Sequence, residues 1–153
     1  MEQNAKNNAP QVEIVEIDMK EINEFLRSLP QWNIEQEFGY KPISTFWQDF
    51  SIADAAPRFG EDAVAAIQAT WKAAVTCFRS DYKMMTELVM VLNHKIFYHH
   101  DAAVRAKAEG LLNRRDFHMR LAEEYDAAWR ATDDWCVKNF KGEAAEYYFA
   151  TTD

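Results

Sequence analysis

The chain has 153 residues, of which 48% are hydrophobic, and this content excludes a protein that is disordered throughout. Its length fits one domain large enough to bury a core. The formal net charge of −8 argues against a sequence-independent nucleic-acid binder, which needs a basic surface to displace counterions. Only four glycines and four prolines interrupt the sequence, and this favours long helices over a strand-rich fold.

Targeting signals and membrane spans are not evident in the sequence. No apolar run approaches the ~20 residues that cross a bilayer. The opening MEQNAKNNAP has neither the basic region nor the apolar region of a secretory signal. We therefore expect a cytoplasmic protein that does not contact a membrane. Its two cysteines, Cys77 and Cys136, lie within helical patterns, and we expect both to be buried, reduced thiols.

The first third of the chain is predicted to contain a tail, a short helix and an aromatic loop. Residues 1–11 have almost nothing to bury and are predicted to be a flexible tail. Residues 12–17 could form a short extended segment. A capping-box pattern at Asp18 then predicts a helix that ends at Leu29, before Pro30.

The segment from Gln31 to Pro42 is predicted to be a loop that is unusually rich in aromatic residues. We expect its three large rings to pack onto the domain, and a recognition loop is the functional alternative. The rings belong to Trp32, Phe38 and Tyr40. Ser44 or Thr45 can cap the next helix, FWQDFSIADAA, which Pro57 and Gly60 then interrupt.

Tyr82 to His100 is predicted to be the central helix. Its apolar residues cover most of the circumference, and such a helix is buried on more than one side. The remaining narrow polar stripe consists of Lys83, Glu87, His94 and Asp101. The preceding pattern, residues 61–79, predicts a helix that forms an antiparallel hairpin or a sharply bent pair with it.

The last third of the chain is predicted to be helical as well. Residues 101–110 either prolong the central helix or form a separate turn of helix, with Gly110 as the stop signal. A long helix then runs from Asn113 to about Lys141, and a short helix follows Gly142. The predicted fold is all-α: a compact bundle of about four main helices with short terminal helices, in a single domain over residues 12–153.

The motifs of common enzymes are missing from the sequence. It contains no Glu-x-x-His, no zinc-spaced cysteines, no Gly-rich phosphate loop and no nucleophile elbow. His94 and His99 point about 140° apart on a straight helix, so they do not converge on one metal. His99 and His100 are expected to interact with the carbonyl end of their helix. We expect no metal, no cofactor and, on balance, no catalysis.

Aromatic residues are more abundant than a small helical core requires. Trp and Tyr are enriched where proteins meet partners, so we expect non-catalytic protein binding, together with homo-oligomer formation. The candidate contact residues are Trp32, Phe38, Tyr40 and Trp47. A pocket for a small, nucleotide-like ligand is an alternative, and its lining would be Trp71, Glu87, His94, Tyr98 and Trp129. A second alternative is an acidic mimic of nucleic acid that inhibits a nucleic-acid-binding enzyme.

Several segments together resemble a family of small helical proteins encoded by gut bacteria and their mobile elements or phages. The most specific is TELVMVLNHKI, and the others are FWQDFSIAD, the following FG and the terminal KGEAAEYYFATTD. The insertion of AAPR before FG departs from the family pattern. The resemblance assigns no activity and no site residue. It implies an accessory protein that acts on a host or phage factor.

Overall fold

The computed structural model describes residues 43–54 and 60–153, and within these ranges it contains five helices and no strand. The predicted all-α class is therefore confirmed. The helices are α1 (Ile43–Asp54), α2 (Gly60–Phe78), α3 (Tyr82–Ala108), α4 (Leu112–Asn139) and α5 (Glu143–Thr152). The predicted tail at residues 1–11, the extended segment at 12–17, the helix at 18–29 and the loop at 31–42 lie outside the described residues.

Helices α3 and α4 form an antiparallel hairpin. Near the turn, His99 stacks on His118, and at the far end the ring of Tyr82 meets that of Phe140. Gly110 joins the two helices with φ of 77°. The Gly110 N–H donates to Lys107 and the Leu111 N–H donates to Ala106, the pattern of a Schellman cap. The predicted stop at Gly110 is confirmed, and residues 101–108 prolong the central helix.

Helix α3 is the centre of the bundle, since it packs against α2, α4 and α5. Asp81 caps its first turn by accepting from two backbone N–H groups. The outer side of α3 is the side opposite Lys95 and His99. In the first half of the helix this side is covered by α5, and Thr86 is buried there. In its second half the outer side is open, with Phe97 65% exposed and Val104 67% exposed. Burial on several sides is therefore found only in the first half.

Helices α1 and α2 complete the core against this hairpin. The ring of Phe46 in α1 meets Phe78 of α2 edge to face, at 5.3 Å between centroids. The indole N–H of Trp71 in α2 donates to the Thr132 hydroxyl of α4 across 2.6 Å. These contacts hold α1 and α2 on the side of the hairpin opposite the open half of α3. No helix in the described part of the chain is long and apolar enough to cross a membrane.

Two predictions about individual residues are wrong. Cys77 is exposed, because it lies on the outer side of α2, about 100° around the helix from the buried Phe78. Cys136 is buried as predicted, and burial, aided by Asp133, raises the pKa of its thiol to about 12. His99 is far from the carbonyl end of its helix, because α3 continues to Ala108.

Candidate functional site

A cluster of polar side chains lies inside the bundle, where an apolar core is the rule. It contains Asp54 from the last turn of α1, Lys95 and His99 from α3, and Tyr125 from α4. Each of these side chains is almost completely buried. We call this group the buried polar centre. It connects three helices through hydrogen bonds and charges, in addition to their apolar contacts.

Asp54 is the acceptor that joins the other three residues. Its Oδ2 accepts from Lys95 Nζ at 2.5 Å, and its Oδ1 accepts from the Tyr125 hydroxyl at 2.7 Å. His99 Nε2 lies 3.2 Å from the same Oδ1. Burial raises the pKa of Asp54, but the charge of Lys95 and the contact with His99 outweigh burial and hold this pKa well below its usual range. Asp54 is therefore a carboxylate anion in the folded protein.

Lys95 is the cation that balances this carboxylate. Burial lowers the pKa of its ammonium group, and Asp54 opposes that effect. Two rings also face Nζ, Trp47 with its centroid at 5.4 Å and Tyr125 at 5.9 Å, which are favourable cation–π distances. Trp47 is only 3% exposed, so the structure places this predicted contact residue in the core, where it has little surface to offer a partner.

His99 and His118 extend the buried polar centre toward the surface. Their Nδ1 atoms are 2.9 Å apart, so one ring donates and the other accepts. Because His99 Nε2 faces a carboxylate, electrostatics place its proton on that nitrogen. His99 Nδ1 then accepts from His118, whose own Nε2 keeps its lone pair. The buried carboxylate, the buried imidazole and the half-buried imidazole thus lie in a row, although the contact of His99 Nε2 with Asp54 is not aligned as a hydrogen bond.

His118 is a weak base in this position. Burial lowers its pKa to about 3, with further lowering by the neighbouring His99, Arg114 and Arg105, although Asp54 acts in the opposite direction. A general base works best with a pKa near the operating pH. Tyr125 is held as a neutral phenol, since burial and the adjacent Asp54 raise its pKa well above the ordinary value. At neutral pH the buried polar centre is therefore better suited to holding helices together than to transferring protons.

The residues proposed for a small-ligand pocket lie in different surroundings. Trp71 and Trp129 pack against the core, and Trp71 is fixed by its bond to Thr132. Glu87 is half-buried, and burial raises the pKa of its carboxyl. Tyr98 meets His99 edge to face, whereas His94 is exposed. Four of the five side chains are thus half-buried and His94 is exposed, and the small-ligand pocket stays a prediction.

Metal ligands are not gathered in the part of the chain described by the structure. No three or more of its His, Cys, Asp and Glu side chains are arranged so that they could hold an ion. His99 and His118 face each other through Nδ1, while Asp54 lies on the opposite side of the His99 ring. The Lys95 ammonium already occupies the other carboxylate oxygen.

The second feature of interest is the open half of α3. Phe97 and Val104 are seven residues apart, so they point in the same direction, away from the polar centre. His94, His100 and Asp101 flank them, and all three are exposed. We call these five residues the outer α3 face. An apolar pair with a polar rim is typical of a surface that binds another protein.

The sequence contains a signal for the buried polar centre, although not for the outer α3 face. Lys95 lies seven residues after Leu88 and four before His99, so it occupies the most buried face of α3. A lysine at such a position predicts a buried counterion. The aromatic loop residues Trp32, Phe38 and Tyr40 lie outside the described residues.

No family model, curated protein or solved structure matches this chain.

Proposed function

We propose that the protein is a non-catalytic binding protein that docks the outer α3 face onto a protein partner. The observation that carries the proposal is the exposure of Phe97 and Val104, about two-thirds each, on one face of the central helix. Large apolar side chains gain free energy when a partner removes them from water, roughly 1.5–3 kcal/mol for a fully buried residue of this size.

The chemistry of the buried polar centre supports binding over catalysis. Its ammonium and phenol both donate to its carboxylate, and all three groups are buried, so they present no group to a substrate. His118 is the member nearest to solvent, and its lowered pKa makes it a poor proton acceptor near neutral pH. We therefore assign the centre the task of fixing α1 onto the hairpin.

The biological setting of the partner is also a proposal. The resemblance to accessory proteins of gut bacteria, mobile elements and phages points to a host factor as the protein that is bound. A second copy of the chain is the other partner consistent with an exposed apolar face, and we propose that the protein also forms homo-oligomers.

The test is site-specific photo-crosslinking of the full chain in its native cell. A photoreactive phenylalanine analogue at position 97 is expected to crosslink to one discrete protein, and the same analogue at the exposed Ala131 of α4 is the matched control. Light scattering of the purified protein separates self-association from capture of another protein.

Two serine variants sharpen the test. Phe97→Ser together with Val104→Ser should abolish the crosslinked complex and leave thermal unfolding unchanged, because both side chains are exposed. Val137→Ser removes an exposed valine near the far end of α4 and should retain the complex. A monomer that forms no crosslink at position 97, or equal crosslinking at position 131, would show that the outer α3 face is not a docking surface.

A further inference from the structure

The turn of the α3–α4 hairpin has the opposite charge to the rest of the molecule. Residues 101–120 contain five Arg or Lys and three Asp or Glu, a formal charge of +2. Since the whole chain carries −8, the remainder carries −10. The five cationic residues are Arg105, Lys107, Arg114, Arg115 and Arg120, and we call them the basic tip.

Two ion pairs of the basic tip lie at the protein surface. Arg105 is bonded to Asp101, and Arg115 Nη2 lies 2.8 Å from Asp116, but three of these four side chains are about half exposed or more. Exposed pairs of this kind contribute at most about 1 kcal/mol and exchange readily with other partners. A competing carboxylate can therefore recruit these cations at low cost.

The helix ends at the turn add to the positive potential. Arg105 and Lys107 lie in the last turn of α3, where cations are favourable. The first turn of α4 contains no acidic residue, and Leu111 provides no side-chain cap. Arg114 and Arg115 instead place positive charge beside the positive end of the α4 dipole. An anionic group near this turn would relieve that repulsion.

We propose that the partner docked on the outer α3 face is an acidic amphipathic segment, whose carboxylates meet the basic tip. This inference rests on the proposed function and specifies its partner chemistry. Val104 belongs to the outer α3 face, and the exposed Lys107 lies three residues further along α3 on the same side, so one bound segment reaches apolar and cationic groups together. A nucleic-acid backbone has no use for the exposed side chains of Phe97 and Val104, whereas an amphipathic segment buries them against its apolar side.

Binding of defined probes to the full-length protein tests this inference by fluorescence anisotropy. The probe is a synthetic helical peptide with leucines at every third or fourth position and glutamates elsewhere. The same peptide with lysine in place of glutamate, and a short single-stranded DNA, are the comparison ligands. We expect saturable binding of the acidic peptide only, and weaker binding as NaCl rises from about 50 to about 500 mM.

A matched pair of charge variants locates the site. Lys107→Glu with Arg115→Glu should weaken acidic-peptide binding about tenfold or more. Arg130→Glu with Lys138→Glu changes the net charge equally but lies elsewhere on α4, and should leave binding within about twofold. Val104→Ser should weaken binding too, whereas Val137→Ser, near the far end of α4, should not.

Several outcomes would overturn the inference. They are the absence of acidic-peptide binding, tighter binding of the DNA, or equal losses in the two charge variants. The crosslinking at position 97 keeps this failure distinct from failure of the proposed function. A captured partner whose crosslinked segment is not acidic, and which the Lys107/Arg115 variant captures equally well, would give a mixed result. In that case the outer α3 face is a docking surface, but the proposed acidic chemistry of the partner is wrong.

Discussion

The Asp54–Lys95 pair is a costly interaction to bury. Removing both charges from water carries a desolvation penalty that their attraction only partly repays. Tyr125 and His99 complete the contacts of the carboxylate, and the Trp47 ring faces the ammonium group, so neither charge lacks compensation. The pair therefore specifies how α1 docks more than it adds to stability. Removing both charges and removing only one of them should therefore change the free energy of unfolding by different amounts.

Disrupting one member should be severe. Asp54→Asn leaves the Lys95 ammonium buried without a counterion, and we expect a loss of about 3–5 kcal/mol in the free energy of unfolding. Urea denaturation followed by circular dichroism measures this loss. The exposed pair Asp126–Arg130, with its atoms 2.8 Å apart, is the matched control, and Asp126→Asn should cost less than about 1 kcal/mol.

Removing both members should be milder than the single changes suggest. In Asp54→Asn with Lys95→Met, no unpaired charge remains, so the combined loss should fall short of the sum by at least about 1 kcal/mol. Losses that simply add would mean that the two side chains do not interact across α1 and α3.

His118 should make the protein sensitive to acid. Its folded pKa of about 3 is below its ordinary value of 6.5, so the unfolded state binds the proton first as the pH falls through this window. Stability is then present above pH 6.5 and is lost toward pH 3. We expect a loss of about 2 kcal/mol between pH 6.5 and about pH 4.5, measured by urea denaturation at each pH.

Replacing this histidine should flatten the pH dependence. His118→Gln cannot take up a proton, so its stability should change much less over the same window. His94→Gln removes an exposed histidine and should retain the slope of the original protein. The same slope in His118→Gln would assign the acid sensitivity to other groups.

At the scale of helices, the periodicity of hydrophobic residues predicted most of the observed helix bounds. The predicted span of residues 61–79 and the helix from Asn113 to about Lys141 differ from α2 and α4 by only one or two residues at each end. Two outcomes for residues 101–110 remained open, because Ala-rich charged sequence is equally compatible with a prolonged helix and an exposed turn. In the structure the helix is prolonged to Ala108, and the Schellman hydrogen bonds around Glu109 and Gly110 end it there.

Gly110 is the residue that ends α3 and permits the hairpin. Its φ of 77° is unfavourable for residues with a Cβ, although a Cβ here would meet no atom within 4 Å. We therefore expect Gly110→Ala to cost about 1 kcal/mol through backbone strain alone. Thermal unfolding checks this value, and Ala108→Gly, inside the last turn, provides a comparison for helix propensity. A neutral Gly110→Ala would indicate that the turn adopts another conformation.

At the scale of the whole molecule, the two thiols report on different events. Cys77 is exposed, whereas Cys136 is buried in the core and has a raised thiol pKa. An aromatic disulfide reagent should label Cys77 immediately and Cys136 only when the end of α4 opens. The Cys77→Ser variant isolates the slow reaction, which should accelerate with urea. Rapid labelling of Cys136 in that variant would show that the core near Phe140 opens independently.

The architecture was predictable from the sequence, and the site was not. The helical spacing of apolar residues and the ending of helices at Gly and Pro depend on local sequence. The all-α class can therefore be predicted without knowledge of tertiary contacts. The partner of Lys95 is 41 residues away in the chain, and no local pattern indicates Asp54 as that partner. The exposure of Phe97 could not be predicted either, because an aromatic residue beside an apolar stripe is buried or exposed according to what packs over it.

The polar centre joins parts of the chain that we expect to assemble on different timescales. The α3–α4 hairpin forms through neighbouring helices, whereas the bond from Tyr125 to Asp54 closes 71 residues of chain. Loop closure of this length is entropically expensive, so local pairs form before distant ones. Helix α1 should therefore dock after the rate-limiting step of folding. The Asp54→Asn substitution would then accelerate unfolding and leave the refolding rate nearly unchanged.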